Sequence, residues 1–393
     1  MPREAKPLHY TRVRLLPLLL LSASCGSSEE STSHSGPPSE CPSAALVEDI
    51  DVIDATAIPE LLETSEPSLA IDDHGAAHVV YVNRASGVLG HATNDDGAWR
   101  TEPVASDAKS DGWTTSSVAS RADAVHVAYI GQGSTGPVAK YAQRTTAGWS
   151  VENIASDGVQ GFYGDSIAVA LDPAGAPHVF FFQQQRLMHA VRGASGWNSE
   201  LVDAEGYFID ERGILFDETG AIHVAYFGRA FDLSYATNES GSWQVESIDD
   251  GNDVGMWASI AQASNGTLRI TYTDASWFGA QVATGSSGSW QISPAGPSTG
   301  REPTMLMRED VMYMASLVAG PGAAGGALFF QVFDGSWRGA LLTDENAGLV
   351  RHPSIAMTKN GMLMVLYWET ATGRLRIERF CMDTVAPYLY TDP

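Results

Sequence analysis

The chain is short of cations, short of cysteine and short of long apolar runs. Lys and Arg together number 23 against 47 Asp and Glu in 393 residues, a formal net charge of −24. So acidic a chain gives no electrostatic footing to nucleic acid or to an anionic membrane surface, and neither is an expected partner. Three cysteines, Cys25, Cys41 and Cys381, allow one intrachain disulfide at most. Only Leu15–Leu21 forms a dense apolar run, too short to span a bilayer, which needs about 20 such residues. The acidic stretch Asp249-Asp-Gly-Asn-Asp253 lacks the ligand spacing of a calcium loop and reads as a solvated turn. No metal and no cofactor are expected.

What is present begins with an address. Arg3, Lys6, Arg12 and Arg14 precede the apolar run, and Ser22, Ala23 and Ser24 follow it, which is the order of a secretory signal peptide over residues 1–24. Cys25 comes directly after, and the segment resembles a bacterial lipobox, with Ser22 where Leu is usual and Leu21 one place earlier. The resemblance implies a lipid on Cys25 and an exported protein held at the outer membrane, the periplasm or the cell surface, touching membrane through that anchor alone. Removing residues 1–24, with four basic and one acidic side chain, deepens the net charge from −24 to −27. Residues 25–46 are rich in Ser, Glu and Pro and too poor in large apolar groups to fold, so they form a tether.

From residue 65 almost to the end one pattern recurs. Copies start at Glu66, Thr115, Asp165, Arg212, Trp257, Glu302 and His352, which makes seven. A tryptophan closes six of them, at Trp99, Trp149, Trp197, Trp243, Trp290 and Trp337, with spacings of 50, 48, 46, 47 and 47. Each copy contains four short β-branched and aromatic runs separated by Gly, Asn and Asp turns, the signature of successive hairpins. Four antiparallel strands in a repeat of 40 to 50 residues mark a propeller blade, so the expected fold is all-β, a seven-bladed β-propeller.

Copy seven has strands one to three and then loses its tryptophan. The acidic, β-branched stretch at residues 47–55 (VEDIDVIDA) resembles the fourth strand QVESIDD of copy four and is expected to complete that last blade, which pairs an edge otherwise open to aggregation. The propeller then spans 47–383, with 384–393 a tail, and a ring closed on itself is expected to be a monomer. Cys41 precedes the closing strand and Cys381 follows the strand it should join. With Cys25 lipidated they are the remaining pair, and export favours their bridge, worth about 4 to 5 kcal/mol in the chain-entropy account.

His78, His126, His178 and His223 share one position at the start of strand two, a placement around the ring that suits packing better than metal ligation. The tryptophans read as apolar plugs between neighbouring blades. The turn Thr93-Asn-Asp95-Asp-Gly97-Ala-Trp99 resembles the Asp-box (BNR) hairpin of sialidase-like propellers, one residue short. That resemblance implies a folding element remote from any active site.

Loops leading from the fourth strand of one copy to the first of the next gather at one face of a propeller. Here they carry Trp113, Tyr163, Tyr207, Asp210, Glu211, Arg212, Trp257, Arg301 and Arg351, an aromatic and charged collar. Aromatic faces with a few fixed polar groups suit sugar rings, and Arg clamps carboxylates. Two functions follow: a non-enzymatic binding or scaffold module for a glycan or an extracytoplasmic protein, ranked first, and a sialidase-like glycosidase or lyase. The second needs an Arg cluster for the substrate carboxylate, a Tyr activated by a Glu and an acid/base Asp, for which Arg212, Arg301, Arg351, Tyr163, Glu211 and Asp210 are the right residue types.

Overall fold

The computed structural model describes residues 46–50 and 65–391, apart from 111–113, 156–158, 160–164, 252, 276–278, 297–299, 320–325, 344–349, 370–371 and 386–388. The leader, Cys25, the tether up to Ala45, Cys41, residues 51–55, Trp113 and Tyr163 lie outside the described residues.

Copies one to six each fold as a four-stranded antiparallel meander. Copy one runs Ser68–Ile71, Ala77–Asn83, Val88–Thr93 and Arg100–Ala105, each strand paired to the next. The turns follow from their residues. Asp72 accepts the Ala76 amide at 2.8 Å and its carbonyl takes the Gly75 amide at 3.1 Å. Gly75 sits at φ 89°, which a side chain resists. Asp172 and Asp217 hold the same turn in copies three and four.

The second strands are mostly buried, Ala77–Asn83 and Ile222–Gly228 along their whole length, whereas the fourth strand Arg100–Ala105 is largely open. Burial on both faces explains their unbroken apolar sequence: every meander stands between two others. The cores accordingly lie between copies. Val80, Val82 and Leu89 of copy one pack on Val118, Val127 and Tyr129 of copy two. Leu69, Val79 and Tyr81 of copy one pack on Met364, Leu366 and Trp368 of copy seven. First strands succeed one another around a ring in which Val350–Met357 returns to Ser68–Ile71.

Copy seven supplies three strands, Val350–Met357, Met362–Glu369 and Arg374–Cys381. Leu46–Ile50 takes the fourth place, antiparallel to Arg374–Cys381, with Leu46 opposite Arg379 and Ile50 opposite Leu375. Ile50 is buried in the core shared by copies one and seven, a contribution of about 1.5 to 3 kcal/mol. Cys381, also buried, ends the partner strand.

The tryptophans do more than fill space. The indole N–H groups of Trp99, Trp149, Trp197, Trp243 and Trp290 donate to Glu48, Glu102, Glu152, Glu200 and Glu246 at 3.0, 3.1, 3.2, 2.9 and 3.1 Å. Every acceptor belongs to the fourth strand of the preceding meander, and Glu48 on the borrowed strand plays that part for copy one. Histidines back the clasp. His78 bonds His91 at 3.1 Å, and His91 bonds Glu102 at 3.0 Å. That His91 bond, with Arg144 and Trp149 alongside, holds the Glu102 carboxyl down at about 2. His126, His178 and His223 likewise meet Tyr141, His189 and Tyr235 within their own sheets, at 2.5, 2.8 and 2.6 Å. Burial pushes His126 and His178 down to about 4. They serve four separate sheets, not one site.

The Asp-box-like turn lies on the outer hairpin, where Asp95 pairs with Arg100 and, at 3.2 Å, Arg144. Asp249 accepts Tyr272 Oη at 2.5 Å. Among the described residues no group of three or more His, Cys, Asp or Glu is arranged to hold a metal.

Candidate functional site

Two local departures from the repeat build the mouth of the ring. In copy four the first strand is split into Gly206–Phe208 and Ile214–Phe216, and the residues between them turn inward. Gly213 is required there, because a Cβ would stand 2.5 Å from the Ala225 carbonyl. The inserted turn reaches the opposite side of the ring. Glu211 Oε1 accepts Ser354 Oγ of copy seven at 2.5 Å, and Arg212 Nη2 donates to the Leu69 carbonyl of copy one at 3.4 Å.

In copies five, six and seven the first strand carries a bulge, with register breaks at Met256/Ser259, Arg301/Thr304 and Arg351/Ser354. Each bulge puts a non-glycine residue in the left-handed region: Trp257 at φ 52°, Glu302 at 51° and His352 at 52°. Such strain persists only where the surroundings enforce it, and it concentrates at functional sites. Here it sends three side chains toward copy one. Trp257 Nε1 donates to Glu66 Oε1 at 3.0 Å, while His352 Nδ1 stands 3.6 Å from Glu66 and 3.4 Å from Glu302. The His352 amide donates to Glu302 at 2.8 Å.

Four carboxyls thus meet at the mouth: Glu66, Asp210, Glu211 and Glu302. Burial, then the charges of Asp210, Glu302 and Glu211, pushes Glu66 well above the carboxylate range. Burial and the neighbouring Glu211 raise Asp210 to about 7, and burial raises Glu211 as well. Like charges this close, out of water, disfavour the ionised form of Glu66, Asp210 and Glu211. Asp210, at about 7, can both donate and accept a proton near neutrality. The cavity between these groups, about 20 Å³, holds about one water.

Beside the carboxyls lies an aromatic platform. Tyr207, Phe231 and Trp257 are half-buried over Phe208, Phe227 and Met256. Tyr207 and Phe231 have ring centroids 5.4 Å apart. Phe231, in the turn between strands two and three of copy four, is also left-handed, at φ 60°.

The structure brings Tyr207, Asp210, Glu211 and Trp257 together at this mouth. Arg212 departs from the expected collar: its side chain lies beyond Glu211, in a channel of about 820 Å³ through the ring, because its guanidinium follows the inserted turn across to Leu69. Arg351 is engaged with Glu302 at 3.5 Å, and Arg301 occupies the matching bulge of copy six. Arg212 and Arg351 have different partners and do not form one clamp. Glu66 and Phe231 lie outside the expected collar loops, whereas Glu302 and His352 lie in them, next to the Arg301 and Arg351 that were singled out instead; none of these four was among the expected site residues. A signal existed for three of them: Glu66-Pro67, Glu302-Pro303 and His352-Pro353 recur at the same repeat position.

No family model and no curated protein matches the chain. Solved structures do match in fold. A polysaccharide lyase, Uly1, superposes with a TM-score of 0.54 at 9% identity, over 80% of this chain and 90% of its own. A leech intramolecular trans-sialidase solved with 2,7-anhydro-Neu5Ac gives 0.50 at 10%, over 87% and 71%. The NanB sialidase of Streptococcus pneumoniae gives 0.50 at 10%, over 86% and 71%. At such identities the likeness establishes the β-propeller fold.

Proposed function

We propose that this chain is an exported, lipid-anchored, seven-bladed β-propeller, monomeric and spanning 47–383, that binds neutral carbohydrate at the mouth of its ring. One observation carries the reading: the half-buried platform of Tyr207, Phe231 and Trp257 stands directly beside Glu66, Asp210, Glu211 and Glu302. Pyranose rings present an apolar face to aromatics and hydroxyls to carboxyl groups, so one side of a sugar meets the platform and its rim meets the acids. The Trp257–Glu66 hydrogen bond fixes the indole before any ligand arrives, which lowers the entropy lost on binding. An acidic sugar needs a cationic partner, and Arg351 beside the cluster is already engaged with Glu302. Neutral hexoses are favoured on that count. Polysaccharide lyases and sialidases share the fold, which sets carbohydrate among the ligands it accommodates.

A Cys41–Cys381 bridge belongs to the same proposal. Leu46–Ile50 pairs with the strand that ends at Cys381, and Cys41 precedes Leu46 by five residues in the sequence.

Glycosidase or lyase activity is the second reading, favoured by Asp210, whose carboxyl at about 7 can give up a proton near neutrality beside Glu211. A glycan array separates the two. Binding of neutral glycans that is lost in Trp257→Ala and weakened in Glu66→Gln supports the first reading, and retained binding in Trp257→Ala overturns it. Turnover of a bound glycan, abolished in Asp210→Asn, would establish the second.

A further inference from the structure

We propose that the channel beyond Glu211 is a second binding site, for an aliphatic carboxylate whose head meets Arg212 and whose chain runs along the first strands. Acids outnumber bases two to one in this chain, 47 against 23, yet the channel reverses the balance. Its charged lining consists of Arg121, Arg212, Arg308 and Lys359 against Glu211 alone.

Arg212 closes the inner end and is under-used there. Its Nε is buried without a hydrogen-bond partner, and Nη2 reaches only the Leu69 carbonyl at 3.4 Å. The nearest carboxylate oxygen, Glu211 Oε1, stands 3.9 Å from Nε and already takes the Ser354 hydroxyl at 2.5 Å. A guanidinium fork in that state lacks the bidentate acid it is shaped for, and a buried donor left unpaired is costly. A ligand carboxylate arriving along the channel supplies that partner.

The walls suit a hydrocarbon chain. Alanine recurs at one first-strand position, as Ala70, Ala119, Ala170, Ala261 and Ala356, and keeps the channel wide. Met307 and Met357 are unbranched and adapt to a flexible tail. About 820 Å³ lies in the range of small-molecule sites. Toward the other end Lys359 is 77% exposed and shared only with Asp73 at 2.8 Å. Arg121 donates to the Asp172 carbonyl at 3.0 Å, and Arg308 donates to that of Lys359 at 2.8 Å while its Nε faces Glu309 at 3.7 Å.

The test is calorimetric titration of the purified full chain with dodecanoate, dodecanol and dodecyltrimethylammonium. One dodecanoate per chain is expected, with the alcohol and the cation weaker by about tenfold or more, a loss repeated for dodecanoate in Arg212→Met. Equal affinity for all three, no dodecanoate binding, or undiminished binding in Arg212→Met overturns the proposal. Ala170→Phe, which narrows the channel without touching the inserted turn, should abolish binding and decides the matter should Arg212→Met not fold. Carbohydrate binding at the mouth is a separate readout and is expected to survive Ala170→Phe.

Discussion

The circumference of this molecule and its mouth are built from the same repeat and obey different rules. At the circumference a tryptophan of one copy donates to a glutamate of the copy before, five times over, at 2.9 to 3.2 Å. At the mouth the contributions are unlike: Glu66, the Asp210–Glu211 turn, Trp257, Glu302 and His352 come from five different copies, and only Glu66 and Glu302 repeat one another among them. The electrostatics differ in the same sense. The rim carboxyl Glu102 is held down at about 2, whereas the mouth carboxyl Asp210 is pushed up to about 7. Regular, paired groups close the ring. Irregular, crowded groups face whatever enters it.

The comparison can be broken most severely where the ring closes. Ile50→Asp places a carboxylate in the core shared by copies one and seven and should cost about 3 to 5 kcal/mol, read as a lower urea midpoint. An unchanged midpoint would mean that Leu46–Ile50 does not hold the ring. Next comes the clasp. Glu102→Ala strips acceptors from His91 and Trp149 and should cost about 1 to 3 kcal/mol in the same measurement.

The pH profile separates the two regions by sign. Glu102, lowered on folding, contributes stability above its unfolded value of 4.5, and that contribution is lost as pH falls through about 2. Asp210, raised on folding, contributes fully below its unfolded value of 3.8 and loses that contribution as pH rises through about 7. Thermal melts should therefore show Asp210→Asn flattening the stretch between pH 3.8 and about 7, and Glu102→Gln the more acid stretch between 4.5 and about 2. Exchanged effects would refute the assignment.

The smallest effect concerns the seam between copies five and six. Ser293 stands there at the place of Glu246 in copy four, and Gln331 is buried with neither side-chain atom bonded. Ser293→Glu should offer Trp337 the missing acceptor and add about 0.5 to 1 kcal/mol. A loss of stability instead would show that the clasp does not transfer to this seam.

Much of the circumference was legible in the chain. The tryptophan period, the Asp-x-x-Gly turns and the unbroken apolar second strands are local features, and local sequence specifies them. The glutamate three residues after Trp99, Trp149, Trp197 and Trp243 was legible as a pattern, but not as the acceptor for the next copy's indole. At the mouth, Tyr207, Asp210, Glu211 and Trp257 could be selected because loops of a ring gather at one face. Glu302 and His352 were hidden in strand positions whose side chains should point between neighbouring sheets. The bulges re-aim them, and the trace left in the sequence was the recurring residue-proline pair that they share with Glu66.

The sequence by itself determined the repeat, its strands and turns, and the shortage of one fourth strand, since each rests on interactions within about 50 residues of chain. Tertiary structure alone decided which groups meet across the axis. Trp257 finds Glu66 over a separation of 191 residues and Glu211 finds Ser354 over 143. Ring closure brings such positions together at a distance set by the number and tilt of the sheets, and no local spacing records that.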